Sequence, residues 1–304
     1  MSTSTLTYDH APSWSARVAD MIELTKPRIA VMVLLTVAIA AVVESWGQPN
    51  PMVVLNTLLG TLLVASSASA VNQWLERDTD AKMQRTSNRP IPAGRISTQT
   101  VMLFAGITVF AGVVYLALFV NPTTALLGVA TWVLYGIIYT PLKYRTPLNT
   151  AVGAVSGALP VLMGWTAMDG LEALTGNLRW TGLFLTVFFW QFPHFMAIAW
   201  IYREQYSEAG MKMWTVVDPS GRRAGIEAVI GALVVIPVSL IAVAQIPGAT
   251  WYIVTAFTLG VLQLSFAIHF MVTLKQDSAR SLLRMTLVYL PVVLLALATL
   301  PMAA

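Results

Sequence analysis

The chain has 304 residues, of which 57% are hydrophobic and only 11% are charged. Because a soluble domain carries about 25% charged residues, this composition excludes a water-soluble protein and places the chain in the membrane class. The formal net charge of +4 fits basic loops on one side of a membrane better than nucleic-acid binding, and the absence of cysteine excludes disulfides and thiolate metal sites.

The first two segments of the chain are polar and amphipathic. Residues 1–13 predict a disordered tail with no secretory signal, and residues 14–304 predict a single membrane domain. Trp14–Leu24 separates apolar from charged side chains. This pattern is typical of a helix that lies in the membrane interface and does not cross the bilayer.

Apolar stretches long enough to cross a bilayer follow, and they predict an all-α bundle of nine transmembrane helices. The stretches are residues 29–43, 52–75, 101–120, 125–139, 148–165, 180–201, 224–244, 251–274 and 282–300. If the N-terminus is cytoplasmic, 17 of the 18 Lys and Arg residues fall on the cytoplasmic side, and only Arg179 does not. The positive-inside rule therefore predicts a cytoplasmic N-terminus and a C-terminus on the outer face.

The strongest functional signal lies where the second span ends. Asn72, Glu76 and Asp80 follow each other at intervals of four residues, so a continuing helix places all three on one face. Oxygen ligands suit a hard cation such as Mg²⁺, which prefers one or two carboxylates together with phosphate oxygens. Because ionisable groups are costly inside an apolar helix, we favour this interpretation over ordinary charges on a solvated loop.

Basic residues at the same membrane face are candidates for binding a diphosphate. Arginine can pair with phosphate in a bidentate geometry, whereas lysine acts as a point charge. Those in the loop after the fourth span and at the start of the first span could instead reflect only the positive-inside bias or an anchor. The candidates are Lys26, Arg28, Lys82, Arg85, Arg89, Lys143 and Arg145.

A second polar cluster lies in the inner half of the sixth span. It contains Trp190, Gln191 and His194, and Pro193 is expected to kink the helix and open a cavity. A single histidine in a membrane is often only an interhelical hydrogen-bond partner, but these neighbours favour a site. His269, in contrast, has no polar neighbours and is expected to be structural.

Small residues and the remaining histidine suggest structural roles. Gly153 and Gly157 form a GxxxG spacing that close helix packing explains fully. His10 lies in the polar tail and is expected to have no function. Together, the polar clusters predict a polar site at one end of an apolar helix bundle. Such a site suits a substrate with a diphosphate head and an apolar tail.

These motifs resemble those of the UbiA-type intramembrane prenyltransferases, and in detail those of the protohaem IX farnesyltransferases within that family. The resemblance covers roughly residues 20 to 300 and rests on residues 72–90, which read NQWLERDTDAKMQRTSNRP, together with TKPR (25–28), YTPLK (139–143), WQFPHF (190–195) and YREQY (202–206). The second Asp-rich motif of most UbiA-type enzymes is missing at the end of span six, where this chain has His194 and a single acid, Glu204.

The resemblance implies a reaction and its participants. A farnesyl group would pass from farnesyl diphosphate to a vinyl group of haem B, and water addition would give haem O, the hydroxyethylfarnesyl haem used in haem–copper oxidase biogenesis. It implies Mg²⁺ as the cofactor, bound by Asn72, Glu76 and Asp80, with Glu204 as an additional candidate. His194 would act as an iron ligand or as a base for water. The implied acceptor pocket comprises Trp190, Gln191, His194, Tyr139 and Tyr202.

The resemblance also bears on location, partners and alternatives. A bacterial inner membrane is expected in preference to a mitochondrial one, and haem A synthase and oxidase assembly proteins are candidate partners besides lipid. One alternative is prenyl transfer to an aromatic quinone precursor, which would call for the missing acidic motif. Another is a membrane transporter, which usually carries ionisable residues at the bilayer midplane.

Overall fold

The computed structural model describes residues 13–176, 178–244 and 246–300, and over these ranges it is built from helices. In chain order they are α1 (Trp14–Leu24), α2 (Pro27–Glu44), α3 (Pro51–Asp80), α4 (Thr98–Phe119), α5 (Pro122–Trp132), α6 (Thr140–Leu142), α7 (Asn149–Asp169), α8 (Arg179–Ile201), α9 (Arg203–Glu208), α10 (Trp214–Val217), α11 (Arg222–Ile241), α12 (Thr250–Thr273) and α13 (Gln276–Ala298). The expected disordered tail, with His10, lies outside the described residues except for Ser13, whose side chain caps α1.

The described helices that are long and apolar enough to cross a membrane number nine, which confirms the all-α, multi-pass fold. They are α2, α3, α4, the continuous segment Pro122–Leu142, α7, α8, α11, α12 and α13. The segment Pro122–Leu142 passes from α5 through π-helical turns at Val133–Tyr139 into α6. Such turns occur frequently at functional sites. The membrane orientation of the two termini stays a prediction.

Polar caps explain why the helices begin outside the apolar stretches. The side chain of Asn50 accepts hydrogen bonds from the first turn of α3, and Pro51 occupies its first position, where a missing N–H has no cost. Asn121 and Pro122 begin α5 in the same way. At its other end α3 continues through polar residues to Asp80, five residues beyond the apolar stretch, and this extension positions the acidic residues.

Small residues let the spanning helices approach closely. Gly164 of α7 faces the backbone carbonyl of Val37 so closely that a Cβ atom at this position would overlap it. A Cβ at Gly153 would lie 2.7 Å from the ring of Tyr139, and one at Gly157 would overlap the amide of Gln191. The close packing expected from the GxxxG spacing is therefore confirmed.

One end of the bundle carries the long connections, which are residues 81–97, 143–148 and 202–221, and we call this end the loop face. Both α3 and α8 end there, so the two polar clusters of the sequence meet at the same end. The segment 202–221 contains the short helices α9 and α10. Segment 81–97 folds back on itself through successive turns, one of which is closed by the hydroxyl of Thr86 donating to the Asp80 carbonyl.

Candidate active site

A cavity of about 210 Å³ opens at the loop face between α2, α3, α8 and the π-helical segment. Its polar lining comprises Lys26, Asn72, Glu76, Asp80, Arg85, Arg89, Tyr135, Tyr139, Lys143, His194 and Tyr206. The structure therefore brings the acidic motif of α3 and the histidine of α8 to one space, as the sequence analysis expected.

The acidic stripe of α3 faces this cavity. Asn72, Glu76 and Asp80 are 1%, 4% and 0% exposed, and all three line it. Asp78, on the opposite side of the same helix, is exposed and lies near Arg77. The helical register thus separates three buried oxygen-bearing side chains from an exposed carboxylate two residues away.

Both carboxylates of the stripe are engaged by cations from other segments. Nζ of Lys143 donates to Oε1 of Glu76 over 2.6 Å, and Nη1 of Arg89 donates to Oδ2 of Asp80 over 2.6 Å. Oδ1 of Asp80 is buried and has no hydrogen-bond partner among the described residues. A buried carboxylate oxygen without a partner, in a residue that lines a cavity, is a suitable ligand position for a hard cation.

Asn72 is held between a cation and a hydroxyl. Its Oδ1 accepts from Nζ of Lys26 over 2.5 Å, and its Nδ2 donates to Oγ1 of Thr140 over 2.9 Å. Lys26 reaches it because its backbone adopts a left-handed conformation (φ 51°) between α1 and α2, which is uncommon for a side-chain-bearing residue and occurs at functional sites.

Burial and neighbouring charge move the pKa values of the two lysines in opposite directions. Burial lowers the pKa of Lys26 to about 7, although the carboxylate of Glu76 opposes this shift. Burial also acts to lower the pKa of Lys143, but its attraction to Glu76 and the hydrogen bond between them raise it well above its usual value. Lys143 is therefore a fixed positive charge, also 4.5 Å from the ring centroid of Tyr139.

Arg85 connects the two long loops across the cavity mouth. Its guanidinium lies 4.7 Å from the ring centroid of Tyr202 and donates to the hydroxyl of Tyr206 over 3.2 Å. Its backbone N–H donates to Oε1 of Gln205 over 3.3 Å. The position of Arg85 thus depends on segment 202–206, which is a separate motif in the sequence.

Four of the predicted charged site residues lie away from the cavity. Arg28, Lys82 and Arg145 are exposed and are not among the residues that line it. Lys82 lies in a turn just after the end of α3, in which its backbone N–H donates to the carbonyl oxygen of Thr79 over 3.0 Å. Glu204 is also exposed and pairs with Arg203 over 3.2 Å outside the cavity, so the expectation that it binds the metal is not supported.

In the polar and aromatic cluster of α8, one residue lines the cavity and the others pack around it. His194 lines the cavity, and Trp190 stacks on its ring with centroids 4.8 Å apart. Gln191 is buried and donates to the carbonyl oxygens of Ala154 and Val187, so its amide serves helix packing. Tyr202 contacts Arg85 and is not part of the cavity lining, whereas Tyr139 is.

Several lining residues were not predicted from the sequence. Tyr135 stacks on Tyr139 one turn away, with centroids 5.5 Å apart, and Tyr206 stands one turn after Tyr202. Each of these tyrosines lies four residues from an aromatic residue that was predicted to belong to the site. This spacing places both on one helix face and could have identified them. Met83, Met211 and Met213 also line the cavity, and an isolated methionine in an apolar sequence carries no such signal.

A second, apolar cavity of about 110 Å³ lies deeper in the bundle and shares Ile29 and Tyr135 with the first. Its other lining residues are Val33, Thr61, Val64, Ala65, Ala68, Ser69, Thr131, Ser156, Gly157, Pro160 and Met163. The arrangement combines a charged mouth with an apolar interior, so it can hold an amphiphile whose anionic head lies at the loop face.

Comparison with known proteins identifies the family to which the chain belongs. Residues 33–298 match the model of the UbiA prenyltransferase family. The chain is 39% identical over 285 residues to a protein named protoheme IX farnesyltransferase from Rhodopirellula baltica, covering 91% of this chain and 98% of the relative.

Solved structures show the same fold at low sequence identity. A digeranylgeranylglyceryl phosphate synthase superimposes with a TM-score of 0.74 at 15% identity, covering 94% of this chain and 99% of that one. A UbiA homologue from Archaeoglobus fulgidus, bound to DMAPP and Mg²⁺, gives a TM-score of 0.61 at 13% identity, covering 92% and 100%. The chain therefore belongs to the UbiA prenyltransferase family and is a membrane-embedded prenyltransferase.

Proposed function

We propose that the chain transfers the farnesyl group of farnesyl diphosphate to a vinyl group of haem B, and that water addition completes the product, haem O. The observation that carries the proposal is that the acidic stripe, four basic residues and His194 share one cavity that adjoins an apolar one. The name of the 39% identical relative supports farnesyl transfer to protohaem in particular.

The charged mouth suits the diphosphate. Asn72, Glu76 and Asp80 have the chemistry to hold Mg²⁺, as the unpartnered Oδ1 of Asp80 indicates. When bound, this ion neutralises the charge that develops on the leaving diphosphate. Lys143 and Arg89 lie at the same carboxylates and can turn to phosphate oxygens while remaining in the cavity. The diphosphate and Mg²⁺ bound by the A. fulgidus homologue support this assignment.

The deeper cavity suits the farnesyl chain. Its wall is formed mainly by aliphatic side chains of α2, α3 and α7, which remove an isoprenoid from water and exclude water from the allylic carbon. Tyr135 lies at the junction of the two cavities, so we place C1 of the donor near its ring. An electron-rich aromatic face stabilises a nearby cation.

The acceptor approaches from the His194 side of the mouth. The C1–O bond breaks with its electron pair on the diphosphate, and the vinyl π electrons of haem B form the new bond to C1. Water then adds to the resulting carbocation on the haem side chain and loses a proton. A cavity of 210 Å³ is smaller than the 300–1,000 Å³ typical of drug-sized ligands, so most of the macrocycle must lie at the loop face.

The proposed location follows from the distribution of charge. We place the loop face in the cytoplasm, because it carries nearly all the basic residues, and the protein in a bacterial inner membrane. Haem A synthase and oxidase assembly proteins are proposed partners, since they would receive the product.

The test is product analysis in cells that make only haem B. Expression of the chain should yield a new, farnesylated haem, and Asp80→Asn should abolish it. Asp78→Asn is the matched control, because it removes a carboxylate of the same helix that is exposed and outside the cavity. An unchanged haem profile, with folded protein verified in the membrane, would reject haem as the acceptor.

A further inference from the structure

The last spanning helix contributes a hydroxyl to the histidine of the site. Thr286 of α13 is fully buried, and its Oγ1 lies 3.0 Å from Nδ1 of His194. This threonine lies outside every motif of the sequence, and the reaction described above does not use it.

The direction of this hydrogen bond follows from counting hydrogens. A hydroxyl carries one hydrogen, and Oγ1 of Thr286 also lies 2.7 Å from the carbonyl oxygen of Leu283, which can only accept. The threonine hydrogen therefore points to Leu283, as in other helix threonines that bond back to the preceding turn. Oγ1 of Thr286 is left to accept, so Nδ1 of His194 must carry the hydrogen.

The plane of the imidazole ring is fixed by the same residue. Nε1 of Trp190 donates to the backbone carbonyl oxygen of Thr286 over 2.7 Å, and the indole stacks on His194 with an interplanar angle of 23°. Thr286 thus holds the histidine through its hydroxyl and the indole that covers it through its carbonyl. Nε2 of His194 makes no hydrogen bond within the part of the chain that the structure describes, and the residue lines the cavity.

We infer that Thr286 is a positioning residue that holds His194 in the Nδ1–H tautomer and presents the lone pair of Nε2 to the acceptor substrate. This inference rests on the proposed function for the identity of that acceptor. A lone pair at Nε2 can coordinate haem iron or take a proton from water, whereas an Nε2–H group can do neither. Both roles left open for His194 therefore require the state that Thr286 selects.

The direct test is nitrogen NMR of a single-histidine protein in lipid nanodiscs. His10→Gln and His269→Gln leave His194 as the only ring that is ¹⁵N-labelled. We expect Nδ1 to be protonated and Nε2 to be unprotonated in this protein and in Thr286→Ser, which keeps the hydroxyl. Thr286→Val, which is isosteric but lacks the acceptor, should shift the population towards the Nε2–H tautomer.

Steady-state kinetics give a second readout that a merely structural role would not move. Thr286→Val should lower kcat/KM for haem about tenfold, the equivalent of one hydrogen bond, and leave KM for farnesyl diphosphate unchanged. Thr286→Ser should restore kcat/KM to within about twofold.

Two results would overturn the inference. One is an Nε2–H tautomer in the single-histidine protein, and the other is a tautomer population that Thr286→Val does not change. The NMR measurement needs no turnover, so it separates this inference from the proposed function: a protein with the expected tautomer that produces no farnesylated haem would contradict only the latter.

Discussion

Lys143 and Glu76 are 67 residues apart in the sequence, yet their side chains form an ion pair of 2.6 Å inside the cavity mouth. Their side chains are only 15% and 5% exposed. Each charge therefore needs the other to offset the free-energy cost of its burial. The pair also joins the end of α3 to the turn after α6, which keeps the acidic stripe against the π-helical segment.

Removing one member of this pair should cost both stability and activity. Lys143→Met leaves the Glu76 carboxylate buried without its cation, which typically costs about 3–5 kcal/mol. We expect a lower midpoint of thermal unfolding in detergent and loss of prenyl transfer. The double variant Lys143→Met/Glu76→Gln should recover much of the stability but no activity, because the proposed metal ligand is also gone. Recovery of activity in the double variant would contradict the roles assigned to both residues.

Metal and diphosphate should bind together. Glu76 and Asp80 are already engaged by Lys143 and Arg89, so a divalent cation alone must compete with both ion pairs. A diphosphate offers these cations new anionic partners and frees the carboxylates. We expect Mn²⁺, followed by its paramagnetic resonance signal, to bind at least about tenfold more tightly when pyrophosphate is present.

The matched variants make this coupling specific. Asp80→Asn should remove the Mn²⁺ binding that depends on pyrophosphate, and Asp78→Asn should retain it, since Asp80 lines the cavity and Asp78 does not. Tight binding of Mn²⁺ by the protein alone, with no increase in affinity when pyrophosphate is added, would show that the ion pairs do not limit metal binding.

Features that depend on one helix could be predicted from the sequence, and those that depend on helix packing could not. The positions of Asn72, Glu76 and Asp80 follow from the helical repeat, so their common face was predictable. The sequence offers no way to tell Lys143, which enters the cavity, from Arg145, which stays exposed. That difference depends on how the turn after α6 packs against α3.

The same limit applies to the α8 cluster. Trp190, Gln191 and His194 are neighbours in sequence and share polar character, so they were predicted as one acceptor pocket. In the structure the amide of Gln191 packs against Gly157 of α7. Trp190 stacks on the ring of His194 and does not line the cavity. The direction of each side chain is set by helices that lie far away in the sequence, including Thr286 of α13.

The amphipathic helix α1 should control the order of the loop that carries Arg85 and Arg89. Arg95, at the end of this loop, donates to Asp20 over 2.8 Å and to Glu23 over 2.9 Å. Arg95→Ala should therefore increase amide hydrogen exchange in both α1 and residues 81–97 and reduce activity severalfold. Because this side chain is 39% exposed, we expect a stability loss of no more than about 1 kcal/mol.

A control for this variant exists on the same face. Arg77 pairs with exposed Asp78 over 3.5 Å and donates to the carbonyl oxygen of Trp74 over 3.0 Å, both within α3, so Arg77→Ala should leave exchange in α1 unchanged. Equal exchange in the Arg95 variant and the parent would show that α1 does not order the loop.

Gly157 should not tolerate even a methyl group. A Cβ at this position would overlap the amide of Gln191, which is buried and bonded to Ala154, so the amide cannot move without losing its partners. Gly157→Ala should lower the free energy of unfolding by about 1–3 kcal/mol. Gly106→Ala is the control, because a Cβ there meets no atom within 4 Å, and its unfolding midpoint should not fall. Equal midpoints for the two variants would contradict the close packing of α7 against α8.

The deeper cavity should set the length of the donor chain. Ala65 of α3 lines this cavity, so Ala65→Phe would fill much of its volume of about 110 Å³. We expect KM for farnesyl diphosphate to rise about tenfold or more, because the chain loses apolar contact, while the shorter geranyl diphosphate is affected less. Ala117→Phe adds the same side chain at an exposed position of α4 and should change neither constant. If Ala65→Phe raises both KM values equally, the isoprenoid lies elsewhere, because only a chain that extends into this cavity can be discriminated by its length.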